Sequence, residues 1–275
     1  MKAFKVLIAL IISIGLLCCQ ILLIGVFSSE KALSAEGISA AIGKTDIVNQ
    51  VCENTLDDTI LENIPGSTDL IKKGLHSEIG TNIVGEYASK LVFSVLRGDD
   101  MPGFTGADVK NVLDSGIENS NLDATTSALV SKYVSDNQDT LASQLNNRLP
   151  SPTTLRGEDI GINQTVFNVV QTLYEPLGKI LIAGLALVFG VILIALFWES
   201  KLGFMWWSIV SFISGLALML SGLLATLFTS VTVDSSVIAA GFGLLEKPLS
   251  IGGVISFGFG VLLIIFCITF RKLFR

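Results

Sequence analysis

The sequence predicts an all-α integral membrane protein with four transmembrane helices and a helical extracytoplasmic bundle between spans 1 and 2. Three observations carry this. Hydrophobic residues make up 51% of the chain and charged residues 15%, and the mean hydropathy of +0.68 exceeds what a soluble domain needs. The excess is concentrated in four blocks, residues 6 to 27, 178 to 198, 202 to 228 and 249 to 270, each with a charge-free centre. Each holds the roughly 20 apolar residues that cross a bilayer core. The intervening polar region repeats its apolar residues at helical rather than strand spacing.

The first segment, residues 1–27, reads as an N-terminal cytoplasmic tip and a signal-anchor helix. A cleaved leader has an apolar core of about 7 to 15 residues, whereas Val6 to Phe27 is broken only by Ser13 and Gln20. Ala32-Leu33-Ser34 resembles a small-residue cleavage site, but the length of the apolar run favours a retained anchor. Cys18 follows Leu17 rather than a small residue, which argues against lipid attachment. Cys18, Cys19 and Cys267 fall inside spans and count as small apolar residues.

Residues 28–163 form the expected helical extracytoplasmic domain and its linker. Residues 28 to 177 contain 21 Asp and Glu against 10 Lys and Arg, a net of −11 on a chain of −6. That charge repels nucleic acid, so nucleic acid is excluded as a partner class. Val48, Cys52, Leu56 and Ile60 recur every four residues and place Cys52 on the buried face of a helix. Ile71, Leu75, Ile79, Ile83, Tyr87, Leu91 and Val95 continue at that spacing, with a bend or break expected near Gly80. Thr105 and Asp108 resemble an acidic capping box ahead of Val109, Val112, Leu113 and Ile117. Leu129, Val130, Tyr133 and Val134, then Leu141, Leu145 and Leu149, extend the pattern, giving five or six helices before a linker from Pro150 to Asn163.

Residues 164–198 read as a juxtamembrane helix and the second span, with a kink at Pro176 and Gly178. Residues 199–228 read as a cytoplasmic turn and the third span, 229–248 as an extracytoplasmic loop, and 249–275 as the fourth span and a basic cytoplasmic tail. Phe197, Trp198, Trp206 and Trp207 flank the turn as an interfacial belt. Lys2 and Lys5, Lys201, and Arg271, Lys272 and Arg275 fall on one side if all four blocks span. The positive-inside rule makes that side cytoplasmic. The expected location is the plasma membrane of a bacterial cell, multi-pass, both termini cytoplasmic and residues 28–177 outside.

Small residues mark the helix-packing candidates: Gly252, Ser256 and Gly260 in the last span, and Ala217, Ser221 and Ala225 in the third. At four-residue spacing they form grooves in which helices approach closely. The spans offer only Gln20 and scattered Ser or Thr as polar groups, which argues against a proton-coupled transporter or cation channel. Catalytic signals are sparse. His76 is the sole histidine, and the acidic pairs Asp57-Asp58, Asp99-Asp100 and Glu158-Asp159 lack the pattern of a calcium loop. Arg97-Gly98-Asp99 spells an adhesion tripeptide that a helix end with a glycine cap explains more simply. Asn163-Gln164-Thr165 matches a glycosylation sequon. No catalytic residue, metal ligand or cofactor is therefore expected.

In its order of segments, one span, a large outward domain and three further spans, the chain resembles the permeases of the mechanotransmitting ABC class. The resemblance implies an ATPase partner at Glu199-Ser200-Lys201. It also loosely resembles uncharacterised bacterial four-span proteins whose helical outward domain follows the first span, which implies no activity. The expectation for function is a non-enzymatic envelope protein that presents an acidic helical domain to a partner or ligand, or scaffolds a complex. The alternative is an accessory or permease-like transport subunit. Expected partners are the bilayer and a protein in the membrane or envelope, a second copy of the chain included.

Overall fold

The computed structural model describes residues 2–42, 67–98, 101, 103–148, 164–198, 202–231 and 236–273. Among them are ten helices: α1 (Lys2–Ala32), α2 (Ala35–Ile42), α3 (Ser67–His76), α4 (Glu78–Arg97), α5 (Gly106–Glu118), α6 (Ala124–Arg148), α7 (Gln164–Tyr174), α8 (Pro176–Leu196), α9 (Gly203–Val231) and α10 (Ser236–Leu273). Four are long and apolar enough to cross a membrane, at Phe4–Ala32, Pro176–Leu196, Gly203–Leu224 and Gly243–Thr269. The chain divides into two compact units, one holding α1, α8, α9 and most of α7 and α10, the other holding α2 to α6.

In the polar unit, α3, α5 and α6 enclose a core of Leu70, Leu113, Val130, Val134 and Leu141, and Ile42 of α2 packs against Ile71, Leu75 and Val84. Glycine sets the closeness of the helices. A methyl group on Gly74 would stand 2.1 Å from the carbonyl oxygen of Val112, and one on Gly116 would stand 2.1 Å from that of Leu70. Each glycine lies four residues after the other's carbonyl partner, so α3 and α5 cross backbone to backbone through a reciprocal pair. Gly85 on α4 likewise lies against Ser39 of α2.

Local chemistry explains the helix ends. The expected break near Gly80 falls at Ser77, whose hydroxyl accepts from the Gly80 amide and caps α4. Gly98 ends α4 at φ 83°, ψ 12°, a left-handed conformation that favours glycine. Thr105 and Asp108 form the expected capping box of α5. Asp123 opens α6 by accepting from the amides of Thr125 and Thr126 at 3.0 Å each and from the Thr126 hydroxyl at 2.6 Å. At the entry to α5, the Asn146 side chain accepts from the Phe104 amide at 2.8 Å and donates to the Phe104 carbonyl at 2.9 Å, while the Phe104 ring stacks on Tyr87. His76 is exposed at the end of α3. Cys52, the acidic pairs, the linker, Asn163 of the sequon and the turn 199–201 lie outside the described residues.

In the apolar unit, Ala9 and Leu16 of α1, Leu193 of α8 and Val210 of α9 form the core, joined by Phe189, Trp206 and Trp207. The outer faces carry exposed Ile, Leu, Val and Phe, which suggests contact with a lipid bilayer. Two expectations differ in detail. α7 ends at Tyr174 and α8 starts afresh with Pro176 as its first residue, a break rather than a kink in one rod. The expected loop 229–248 carries helix to Val231 and again from Ser236, with Pro248 inside α10.

Replacing Gly74 or Gly116 by Ala should destabilise the full-length protein. Overpacking against a carbonyl costs about 1–3 kcal/mol and outweighs a helix-propensity gain of up to about 1 kcal/mol. Glycine positions with open space around them, Gly184 and Gly258, provide the control: alanine there should be neutral or stabilising in the same unfolding assay.

A second outcome concerns pH. The Thr126 hydroxyl and amide, with the Thr125 amide, hold the Asp123 carboxyl below its ordinary range. A depressed carboxyl contributes stability that is present above its unfolded value and lost as the pH falls through its folded value. The protection of the Thr125 and Thr126 amides, measured against the intrinsic exchange rate at each pH, should therefore fall below about pH 4, whereas D123A should expose these amides at neutral pH as well.

Candidate functional site: a polar chain in the apolar bundle

The serines of α9 set up the site. Ser208, Ser211 and Ser214 follow one another at three-residue steps and are fully buried, with Gly215, Leu218 and Gly222 continuing that face. Glycine again permits close approach. A methyl group on Gly215 would meet the Gly253 carbonyl at 2.8 Å, and one on Gly253 would meet the Gly215 carbonyl at 2.8 Å, so α9 and α10 touch through their backbones. At this crossing Gln20 of α1 and Ser256 of α10 reach the α9 serines.

The distances define a connected network. Gln20 Nε2 donates to Ser211 Oγ at 3.1 Å, and Ser214 Oγ donates to Gln20 Oε1 at 3.0 Å. Ser214 Oγ and Ser256 Oγ lie 2.7 Å apart, and Ser256 Oγ also lies 3.1 Å from the Ser211 carbonyl. Each hydroxyl has one proton, so these contacts are not all bridged at once. Running the protons from Ser256 to Ser214 to Gln20 Oε1, and from Gln20 Nε2 to Ser211, bridges each of the three side-chain contacts once. One turn further along α10, Ser208 Oγ donates to the Gly260 carbonyl at 2.8 Å. The result is a hydrogen-bonded chain across three of the apolar helices, in surroundings where an unpaired carboxamide is costly.

The sequence-predicted packing residues divide. Gly252, Ser256 and Gly260 are buried: a methyl on Gly252 would meet Ile24 Cγ2 at 2.4 Å, and one on Gly260 would meet the Ser208 carbonyl at 3.2 Å. Ala217 is exposed, Ser221 donates to the Leu218 carbonyl of its own helix, and the Ala225 side chain lies outside the description. The face of α9 that meets α10 is therefore the one carrying Ser211, Gly215 and Gly222, offset from the predicted row. The three-residue serine spacing places hydroxyls along one side of α9, a pattern that by itself does not say which side meets α10.

The aromatic residues also divide. Trp198 is exposed and Phe197 stacks on Trp206 with centroids 6.1 Å apart. Trp207 instead turns inward over Gly190, where a methyl would stand 2.5 Å from its ring, and packs edge-on against Phe259. Its indole N–H and the Ser13 hydroxyl are buried without an acceptor or donor among the described residues.

A second polar group gathers where α1 ends. Ser28, Ser29 and Glu30 are consecutive, yet each engages a different helix. Ser28 Oγ donates to the Pro248 carbonyl of α10 at 3.1 Å, Ser29 Oγ lies 2.6 Å from the Tyr174 hydroxyl of α7, and Glu30 pairs with Lys179 of α8. Gly178 allows the turn before Lys179, since a methyl there would stand 1.8 Å from the Thr172 carbonyl. Among the described residues no group of three His, Cys, Asp or Glu gathers as a metal site.

The chain of Gln20, Ser211, Ser214 and Ser256 holds helices together by hydrogen bonds. Removing both α9 hydroxyls in S211A/S214A strands the carboxamide and should cost about 1–3 kcal/mol. Q20L leaves serines that can bond backbone carbonyls and should cost under about 1 kcal/mol. The triple variant should recover most of the loss. Unfolding in mixed micelles would measure all three, and a triple variant no better than S211A/S214A would show that Gln20 is not the stranded group.

Compared with protein-family models, curated proteins and solved structures, the chain matches none, so its function is read from its own residues and geometry.

Proposed function

We propose that the protein is a non-enzymatic envelope membrane protein that presents the acidic helical region between its first and second spans outside the cell, to bind a partner or ligand or to scaffold a complex. The observation that carries this reading is the arrangement of charge around four apolar helices. Lys2 and Lys5, Lys201, and Arg271, Lys272 and Arg275 flank alternate ends of the four spans, while residues 28 to 177 carry a net of −11. Basic flanks favour the cytoplasm, which leaves the acidic region outside and makes α1 a retained signal anchor. A surface rich in carboxylates attracts a basic partner at long range and repels anionic lipid.

Two measurements test the reading. Cysteines introduced singly at exposed Asn82 of α4 and Lys132 of α6 should react with a membrane-impermeant maleimide in intact cells. Cysteines placed at residue 201 should react only after lysis. The reverse pattern would overturn the orientation. Crosslinking the full-length protein in its native membrane, followed by mass spectrometry, should recover envelope proteins. Recovery of an ATPase that depends on Glu199 to Lys201 would replace this reading with a permease-like subunit.

A further inference from the structure

The whole polar region, residues 33 to 163, is inserted between α1 and α7, so its two chain connections leave the apolar unit at the end of α1 and return through α7 into α8. Both connections meet one cluster of contacts. Ser29 reaches Tyr174, the last residue of α7, and Glu30 reaches Lys179 in the first turn of α8. Ser28 fixes the same turn of α1 to Pro248 of α10.

The ion pair has an unusual setting. Glu30 and Lys179 are only 15% and 16% exposed, and the Phe27 ring lies 5.6 Å from the Lys179 ammonium. Glu30 stands in the last turn of α1, where the unpaired carbonyls disfavour a carboxylate. Lys179 stands in the first turn of α8, where the unpaired amides disfavour an ammonium. Glu175, one turn before Lys179, moderates the second effect. Each charge thus opposes the field of its own helix and meets an opposite charge on the other helix. Such a pair is conditional: breaking one side leaves a poorly solvated charge, whereas replacing both with apolar residues does not.

We infer that Ser28, Ser29 and Glu30 form a clasp that locks the entry and exit of residues 33 to 163 together, with Glu30–Lys179 as its cooperative element. A displacement arriving along either connection meets this clasp before it reaches the polar chain around Gln20. The clasp therefore decides whether the end of α1 and the start of α8 move together, beyond the core of Ala9, Leu16 and Leu193 that the two helices share. The inference is independent of the side of the membrane that the acidic region occupies and of any partner.

Hydrogen exchange of the full-length protein in lipid nanodiscs tests it, comparing wild type with E30M, K179M and E30M/K179M. Each single variant should speed exchange about tenfold across both residues 26–34 and residues 170–180. The double variant, which also guards against a single variant that fails to fold, should return both segments to within about threefold of wild type. Three outcomes would overturn the clasp: single variants that exchange like wild type, loosening confined to the substituted helix, or a double variant as loose as its two singles combined.

Discussion

A carboxamide in the middle of an apolar helix constrains everything around it. Gln20 lies in the apolar middle of α1, and hydrocarbon has no group that can replace water at its two polar atoms. Its nitrogen and oxygen are met by Ser211 and Ser214, and Ser214 in turn meets Ser256. Apolar side chains pack in many registers against lipid-like neighbours, but hydrogen bonds of about 3 Å require particular ones. The polar chain thereby selects which faces of α1, α9 and α10 point inward, while their Leu, Ile and Phe residues cover the outside.

Glycine and serine make that selection geometrically accessible. Gly215 and Gly253 let α9 and α10 approach until backbone meets backbone, which brings hydroxyls on short side chains within bonding distance. The polar unit uses the same device without a membrane. Gly74 and Gly116 allow α3 and α5 to cross so closely that each faces the other's carbonyl. In water the surrounding core of Leu70, Leu113 and Val134 supplies hydrophobic association. In a bilayer that driving force is missing, and close packing with interhelical hydrogen bonds takes its place.

The two polar features of the apolar unit act at different levels. The Gln20 chain is neutral and satisfied within the helix bundle, so it sets register. The contacts of Ser28, Ser29 and Glu30 include a charged pair opposed to two helix dipoles, and they lie where the chain leaves and rejoins the bundle. Placing three different partners on three successive residues uses the 100° step of the helix, which points successive side chains in different directions.

The sequence by itself determined the helical class, the four apolar helices and several helix ends, because these depend on local properties. A run of apolar residues, Thr105 three residues before Asp108, and Gly98 after Arg97 each act within a few residues and need no tertiary partner. The small-residue row of α10 was equally legible, since Gly252, Ser256 and Gly260 face their neighbours. The matching face of α9 was not: Ala217 and Ser211 are both small, and only the position of Gln20 on another helix distinguishes a side that must offer hydroxyls from one that faces outward. The same holds for Trp207, which the hollow over Gly190 turns inward, and for Glu30, whose partner lies 149 residues away. Tertiary structure decided these points because each rests on an interaction between segments distant in the chain, whose energy no local pattern encodes.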